Sequence, residues 1–200
     1  MNITAGANIF GVSQTSAISI TGTGIINAVG TAVSTITFSA DNDGDGIPGP
    51  NETWKNLLFD ASTGTSVIDY AVIENGTGDD YYYGGGIDIQ GNNVTVDHST
   101  IRNCTTLGYG GGIAATPTGS SVTLQNLLIY GNTGGYGGGL FIDGNITLYA
   151  CQIYNNSATS GAGIYFNSLG SISNSIIHDN TGGEGIYSFG TDASGSIVNC

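Results

Sequence analysis

An isoleucine followed by a short polar turn recurs along most of the chain. The copies begin at Ile73, Ile101, Ile129, Ile153 and Ile177, which lie 28, 28, 24 and 24 residues apart. Asn, Asp or Gly fills the middle of each copy, and Thr or Ser closes it. A period of about 20 to 50 residues is typical of stacked repeats, in which each repeat buries its apolar face only against its neighbours.

Alternating apolar and polar residues between these copies predict short strands. In one repeat Val94, Val96 and Ile101 are expected to point inward, with Thr95 and Asp97 outward. The same column of inward residues contains Ile68, Leu124, Leu148, Ile172 and Ile197. A glycine motif also recurs, at residues 84–87, 110–113, 137–140, 161–164 and 183–186. Because glycine adopts positive φ and permits close backbone approach, these motifs predict corners.

Asparagines occupy equivalent positions in successive repeats. Asn132, Asn156 and Asn180 are predicted to stack as a hydrogen-bonded ladder. Beside them lies a second column, which contains Asn75, Asn103, Asn155 and Asp179. We predict that these columns form tight turns, since Asn tolerates the left-handed conformation.

The first 66 residues follow a variant of the same plan. Strands are predicted at residues 18–20, 25–26 and 36–38, with glycine corners at 22, 24 and 30. Trp54 and residues 57–59 resume the wall after an insertion at 40–53. We therefore predict one domain over residues 1–200, with variant opening coils at 1–66 and regular coils at 67–200.

The paired motifs resemble those of a known fold family. The GGGI and Ile-x-x-Asn sequences are similar to the GGAI and FxxN repeats of polymorphic outer membrane proteins, and residues 25–77 resemble the opening coils of bacterial and archaeal surface proteins. Almost the whole chain thus resembles the right-handed parallel β-helix, or pectin-lyase-like, superfamily. The resemblance implies an all-β solenoid of about seven coils. It implies little about activity, because the superfamily includes lyases, glycosidases, adhesins, passengers and fibres.

The charge of the chain excludes several classes of partner. Its net charge is −13, with 15 acidic residues against Lys55 and Arg102. Nucleic acid and anionic membranes are bound through Lys and Arg, so neither is an expected partner. No run of 18 apolar residues predicts a membrane span. Residues 1–4 do not begin a signal peptide, and a mature or excised fragment would begin in the same way. Such acidity is typical of a salty or calcium-rich exterior, so we expect an extracellular or cell-surface location.

The insertion contains a candidate calcium site. Asp41, Asp43 and Asp45, the carbonyl of Ile47, and Glu52 match positions 1, 3, 5, 7 and 12 of a calcium-binding loop, with glycine at position 6. A preceding strand and two prolines in the loop argue against flanking helices. The segment resembles the aspartate-rich calcium repeats of extracellular proteins. The alternative is an acidic surface turn.

Two catalytic interpretations remain open at this stage. Polysaccharide lyases of this fold use acids on one parallel face and a basic residue, roles open to Asp69, Asp97, His98 and Arg102. The alternative is that Arg102 and Glu74 form a weak surface pair, while Asp97 and His98 are exposed on a strand. A glycosidase needs two carboxyl groups about 5 to 10 Å apart; candidates are Asp69 with Asp97, and Asp79 or Asp80 with Asp88.

Aromatic residues suggest a binding surface. Tyr83, Tyr109 and Tyr136 precede the glycine motif in three consecutive repeats and are the predicted ligand-binding residues, with surface glycans as the ligand. Phe141, Tyr165 and Tyr187 form another column. The alternative is packing between coils that stiffens the solenoid.

The cysteines are not expected to form an intrachain disulfide. Cys151 and Cys200 share a column two coils apart, which separates them by about 10 Å, beyond the reach of a disulfide. Cys104 lies in a different column. Cys200 could instead cross-link to a neighbouring molecule.

Short turns, with few long loops to build a cleft, favour a non-enzymatic extracellular protein, structural or adhesive and stabilised by calcium. Residues 195–200 lie part-way through a further strand without a polar cap. The expected partners are therefore other copies stacked head to tail in a fibre, or further coils of a longer chain. The alternatives are a polysaccharide lyase or glycoside hydrolase, and a glycan-binding module.

Overall fold

The computed structural model describes residues 1–49, 51–60, 63–78, 83–91, 93–168, 170–189 and 196–198. In these ranges the chain forms short strands joined by turns and contains no helix. Accordingly, no described helix could cross a membrane.

The strands form three long sheets and one short sheet, in which neighbouring strands run parallel. Sheet A contains β1 (Asn2–Thr4), β4 (Asn27–Val29), β7 (Thr65–Asp69), β10 (Asn93–Asp97), β13 (Val122–Gln125), β17 (Ile146–Tyr149), β21 (Gly170–Ser173) and β25 (Ser196–Val198). Sheet B contains β2 (Asn8–Gly11), β5 (Ile36–Ala40), β8 (Ala71–Glu74), β11 (Thr100–Arg102), β14 (Leu128–Tyr130), β18 (Gln152–Tyr154) and β22 (Ile176–His178). Sheet C contains β3 (Ile18–Thr21), β6 (Leu57–Asp60), β9 (Ile87–Ile89), β12 (Ile113–Ala115), β16 (Leu140–Ile142), β20 (Ile164–Phe166) and β24 (Ile186–Ser188). Sheet D contains β15 (Thr133–Tyr136), β19 (Ser157–Ser160) and β23 (Thr181–Gly182).

This arrangement confirms the predicted all-β solenoid of about seven coils. Over the described ranges, sheets B and C each contain seven strands, so each strand marks one coil. The chain passes from sheet A to B to C in every turn, and each strand pairs with its equivalent in the adjacent coils. The core therefore runs along the axis between the three sheets.

The register confirms the predicted apolar columns. The isoleucine that opens each repeat pairs with its equivalents, and the copies at 73, 101, 129 and 153 are fully buried. In sheet A the column of Ile68, Val96, Leu124, Leu148 and Ile172 is fully buried too. The side chain of Ile197 lies outside the described residues. Burial of each such side chain contributes about 1.5–3 kcal/mol, so the columns dominate the stability of the coil stack.

The predicted asparagine ladder is present inside the solenoid. Asn132 donates from its backbone N and from its Nδ2 to Oδ1 of Asn156, each at 3.0 Å. Asn156 makes the same two bonds to Asn180, each also at 3.0 Å. Cys104 occupies the equivalent place in the preceding coil and donates its N–H to Oδ1 of Asn132 at 3.0 Å. The ladder thus continues the hydrogen bonding of the sheets through the corner.

Three corners use the left-handed conformation, of which two were predicted. The first glycine of the glycine motif has φ between 55° and 70° at residues 84, 110, 137 and 161, and residues 75, 103, 131, 155 and 179 have φ between 52° and 67°. The third such column turns the chain between sheets A and B: Tyr70, His98, Asn126, Ala150 and Asn174, with φ between 39° and 53°. Because its residue types differ from coil to coil, the sequence offers no common signal for it.

In the opening coils the strands predicted at residues 18–20 and 36–38 are present, whereas β1 and β2 were not predicted and one predicted strand is shifted. The predicted strand at residues 25–26 begins instead at Asn27, where β4 starts. Ile26 is buried, but Ile25 is exposed. Trp54 resumes the wall as predicted: its ring is buried, and its Nε1 donates to the carbonyl of Glu74 at 2.8 Å.

Candidate functional site

The insertion after β5 brings three predicted metal ligands together. Asp41, Asp43 and Asp45 each offer one carboxylate oxygen, and the three oxygens lie within 4.8 Å of one another. Asp41 is buried, whereas Asp43 and Asp45 are exposed. The carboxylates therefore converge at a point that opens to solvent.

The loop backbone folds around the carboxylate of Asp41. Its Oδ1 accepts hydrogen bonds from the N–H groups of Gly44 at 2.7 Å and Asp45 at 3.1 Å, and its Oδ2 accepts one from Gly46 at 2.9 Å. Gly44 and Gly46 have φ of 79° and 83°, a conformation that favours glycine. The alternation of acids with glycines thus specifies the turn that gathers the acids.

Glu52 and Ile47 take different places from the three aspartates. Oε1 of Glu52 accepts the N–H groups of Asn42 at 2.7 Å and Asp43 at 3.0 Å, and Oε2 accepts that of Gly49. The bond from Gly49 is the main cause that lowers the pKa of Glu52. Ile47 donates its N–H to Oδ1 of Asp45 at 2.7 Å. Both residues shape the loop; their predicted coordination of the ion stays a prediction.

The donor set fits a hard divalent cation. Calcium takes six to eight oxygen ligands from carboxylates, backbone carbonyls and water. Three carboxylates this close repel one another when all are ionised, and a bound cation relieves that repulsion. If calcium binds, Asp41, Asp43 and Asp45 are the side chains that hold it.

A second cluster contains Asp69, Asp97 and His98. The two aspartates pair in adjacent coils, as the sequence predicted. Nδ1 of His98 lies 3.2 Å from Oδ1 of Asp69 and 3.0 Å from Oδ1 of Asp97. Tyr70 stacks on the imidazole, with ring centroids 4.6 Å apart. His98 follows the strand and occupies the left-handed corner, so the expectation that it lies on a strand was wrong.

The carboxylate of Asp97 is held in its ionised form. Partial burial raises its pKa, but hydrogen bonds from Asn126 and Gln125 and the neighbouring His98 outweigh this effect, and the pKa is lowered. Gln125 donates to Oδ2 at 2.6 Å, and Asn126 to Oδ1 at 2.9 Å. A glycosidase acid requires a raised pKa, so this environment does not favour Asp97 in that role.

Arg102 belongs to a partly buried hydrogen-bond network, whereas the sequence led us to expect a weak surface pair with Glu74. Its Nε and Nη2 lie 2.7 and 2.6 Å from Oε2 of Glu74, whose other oxygen accepts the hydroxyl of Ser39 at 3.1 Å. Glu74 is only 8% exposed. The hydrogen bond to Tyr130, followed by those to Glu74, raises the pKa of Arg102. An arginine held protonated in this way is a poor base for a lyase.

The two predicted aromatic columns form one cluster. Tyr83, Tyr109 and Tyr136 stack with centroids 5.5 and 5.3 Å apart. Phe141 and Tyr165, on the outer face of sheet C, stack at 5.5 Å, and Tyr109 meets Phe141 at 4.6 Å. Burial, followed by the neighbouring tyrosines, raises the pKa of Tyr165. Packing between coils is therefore present, as the alternative to ligand binding predicted.

A groove of about 390 Å³ lies between these columns. We call it the ring groove. Besides the aromatic residues of the two columns, it is lined by Asp143, Ser160, Asn167 and Phe189. Sequence reasoning missed these residues, although Asp143 and Asn167 occupy equivalent positions one repeat apart. The ligand-binding role of Tyr83, Tyr109 and Tyr136 stays a prediction, for which the groove now provides a site.

The remaining candidates are buried or lie outside the described residues. Cys104 and Cys151 are buried free thiols, and burial raises their pKa to about 12 and about 11. Asp88 is buried and accepts a hydrogen bond from Gln90 at 2.8 Å. Asp79, Asp80 and Cys200 lie outside the described residues.

Comparison with known proteins identifies the family of the chain. No curated protein and no solved structure matches it. A family model described as a right-handed β-helix region matches residues 8–200, which include nearly all of the strands described above. The parallel sheets and stacked columns are those of such a helix. The chain therefore belongs to the right-handed β-helix family.

Proposed function

We propose that this β-helix is a non-enzymatic structural or adhesive protein of the cell exterior, and that calcium stabilises its opening coils. The observation that carries the proposal is the convergence of Asp41, Asp43 and Asp45 in one loop. Calcium concentrations are high outside cells and low in the cytosol, so a loop of this kind is useful to a protein that works outside.

The loop is anchored to the coils at both ends, which supports a stabilising role for the ion. Asn42 donates from Nδ2 to the carbonyl of Thr53 at 3.1 Å and accepts the N–H of Thr53 at 2.9 Å. Asp41 donates its backbone N–H to the carbonyl of Gly11 at 3.0 Å. Trp54 follows directly and is buried in the core. An ion that orders the loop would therefore order the adjoining wall.

The sheet edges support the proposed partners. Among the described strands, β2 and β3 end sheets B and C on one side, and β22 and β24 end them on the other. An edge strand presents backbone N–H and C=O groups to another strand. Further coils of a longer chain, or a second copy stacked head to tail, would satisfy these groups in the same parallel register.

Calcium dependence of stability tests the proposal. We expect the thermal midpoint of the chain, followed by circular dichroism and by fluorescence of Trp54, to rise in millimolar calcium and to fall on chelation. At a free concentration 100 times the Kd, binding contributes about 2.7 kcal/mol. Asp43→Asn should abolish the calcium response. Asp179→Asn is the matched control, because it removes an exposed carboxylate from a distant corner.

An unchanged midpoint in calcium, or an equal loss of response in both variants, would refute the calcium role. Negative-stain microscopy in calcium then tests the partners: filaments indicate stacked copies, and discrete rods indicate a fragment of a longer chain or a capped module. Release of reducing or unsaturated sugars from a broad panel of polysaccharides would contradict the non-enzymatic assignment.

A further inference from the structure

The ring groove combines an apolar floor with accessible aromatic rims. Phe141 and Tyr165 are buried and form its base. Tyr136 and Phe189 line the same groove and are 41% and 56% exposed. Its volume of about 390 Å³ falls within the range of about 300–1,000 Å³ typical of small-molecule sites. Packing between coils therefore leaves part of the ring surface uncovered, and a ligand can reach it.

Polar groups stand beside these rings. Asp143 accepts hydrogen bonds from Nδ2 of Asn167 at 2.9 Å and from Oγ of Ser168 at 2.6 Å. An ionised carboxylate has about four acceptor sites, so two bonds fix its orientation and leave capacity for others. Ser160 lines the groove as well and adds a hydroxyl that donates and accepts. These groups suit a ligand that carries several hydroxyls.

The charge of the groove selects against anions. Asp143 is the charged group among its described lining residues, and the chain carries a net charge of −13. Neither Lys55 nor Arg102 is among the lining residues, and Arg102 is bound to Glu74 on another face. A uronate or phosphate would bring its negative charge towards a carboxylate without a compensating cation.

From these observations we propose that the ring groove binds an uncharged oligosaccharide chain of an extracellular polysaccharide. A hexose has an apolar C–H face that packs on aromatic rings and hydroxyls at its edge that bond to carboxylate, amide and hydroxyl groups. Tyr136 and Phe189 contact the apolar face, and Asp143 accepts from the hydroxyls. This inference rests on the proposed function for the exterior location and specifies what the adhesive surface recognises.

Calorimetric titration with defined oligosaccharides tests the inference. The probes are neutral hexasaccharides of β-1,4-glucan, β-1,3-glucan and α-1,6-mannan, with hexagalacturonate as the anionic probe. We expect at least one neutral probe to bind at least about tenfold more tightly than the anionic probe. Because no charge is paired, its affinity should not change between low and high salt.

Substitutions locate the site. Tyr136→Ala should weaken binding of the neutral probe about tenfold. Tyr149→Ala is the matched control, since Tyr149 is 43% exposed on sheet A, away from the groove, and should leave the affinity unchanged. Both variants should keep the circular dichroism spectrum and the cooperative thermal transition of the parent chain, which shows that each is folded.

Three outcomes would overturn the inference: no binding of any neutral probe, binding of the anionic probe as tight as that of the neutral ones, or equal weakening by the two tyrosine substitutions. Absence of sugar binding with a normal calcium response would reject the groove and retain the proposed function. Sugar binding at the groove without any calcium response would reject the calcium role alone.

Discussion

Asn156 illustrates how one residue type carries the interior of this solenoid. Its side chain is fully buried, and its Oδ1 accepts from both the N and the Nδ2 of Asn132. Its own Nδ2 donates to the carbonyl of Ile129 at 2.9 Å and to Asn180 at 3.0 Å. A buried amide with all its groups paired costs little, whereas each group left unpaired costs about 1–3 kcal/mol.

Asn156→Ala should therefore lower the free energy of unfolding by about 3 kcal/mol or more, because it leaves groups of Asn132 and Ile129 unpaired in the core. Urea denaturation measures the change. Asn180→Ala is the graded control, since Asn180 is only half-buried and should cost less. Equal losses at both positions would show that burial of the amide does not set the cost.

Ala150 bears a strain that its neighbours in the column avoid. Its φ is 53°, in a column that has asparagine one coil before it and one coil after it. The left-handed conformation costs an ordinary L-residue about 1–2 kcal/mol, and asparagine tolerates it better. Glycine removes the steric cost but loses more entropy on folding.

Ala150→Gly is accordingly expected to raise the free energy of unfolding by about 0.5–1 kcal/mol, as the relief of strain exceeds the entropic loss. Ala158→Gly should instead lower the free energy of unfolding by about 0.5–1 kcal/mol, because Ala158 is buried within β19 and has no positive φ. Thermal unfolding of the two variants and the parent chain measures both changes in stability. A loss of stability at Ala150 would contradict the account.

At the scale of elements, the sequence predicted what recurs in every coil. The isoleucine columns, the asparagine ladder and two left-handed corners were predicted, because each recurs with similar residues in successive coils. The corner between sheets A and B was not, since Tyr70, His98 and Ala150 share a backbone conformation without sharing chemistry. A fold of this kind is predictable from sequence where neighbouring coils use the same residue for the same task.

The candidate sites were predictable to different degrees for a related reason. The three aspartates of the candidate calcium loop lie within five residues, so local spacing sufficed to place them together. The ring groove depends on two columns leaning towards each other, with Tyr109 against Phe141 across 32 positions of sequence. Asp143 joins them through the coil geometry, which local patterns do not show. Likewise, burial of Glu74 depends on the neighbouring coils and is not apparent from the repeat alone.

On the scale of the whole molecule, each coil depends on the coils directly before and after it. Interior strands such as β10 pair on both sides, whereas β22 and β24 pair on one side among the described strands. Stability in such a stack is approximately a sum of repeat terms and neighbour interfaces. Opening should therefore begin at the ends and proceed inward.

Hydrogen exchange followed by mass spectrometry checks this expectation. Amide protection should be highest in β10 and β13 and lowest in β22 and β24, because the end coils open without breaking a second interface. Chelation of calcium should lower protection in β5 and β6, which flank the loop, and leave β17 unchanged. Uniform protection along the chain would indicate a single cooperative unit instead.

The even spacing of the later repeats has a consequence for how such a protein can vary. Ile129, Ile153 and Ile177 lie 24 residues apart and pair directly. Loss of residues 133–156 would join Asn132 to Ser157, the residue that already pairs with Thr133 in the next coil. All columns would close again one coil shorter, with the rod reduced by about 4.8 Å. Unequal recombination between repeats could thus change the reach of the molecule in uniform steps without redesigning its core.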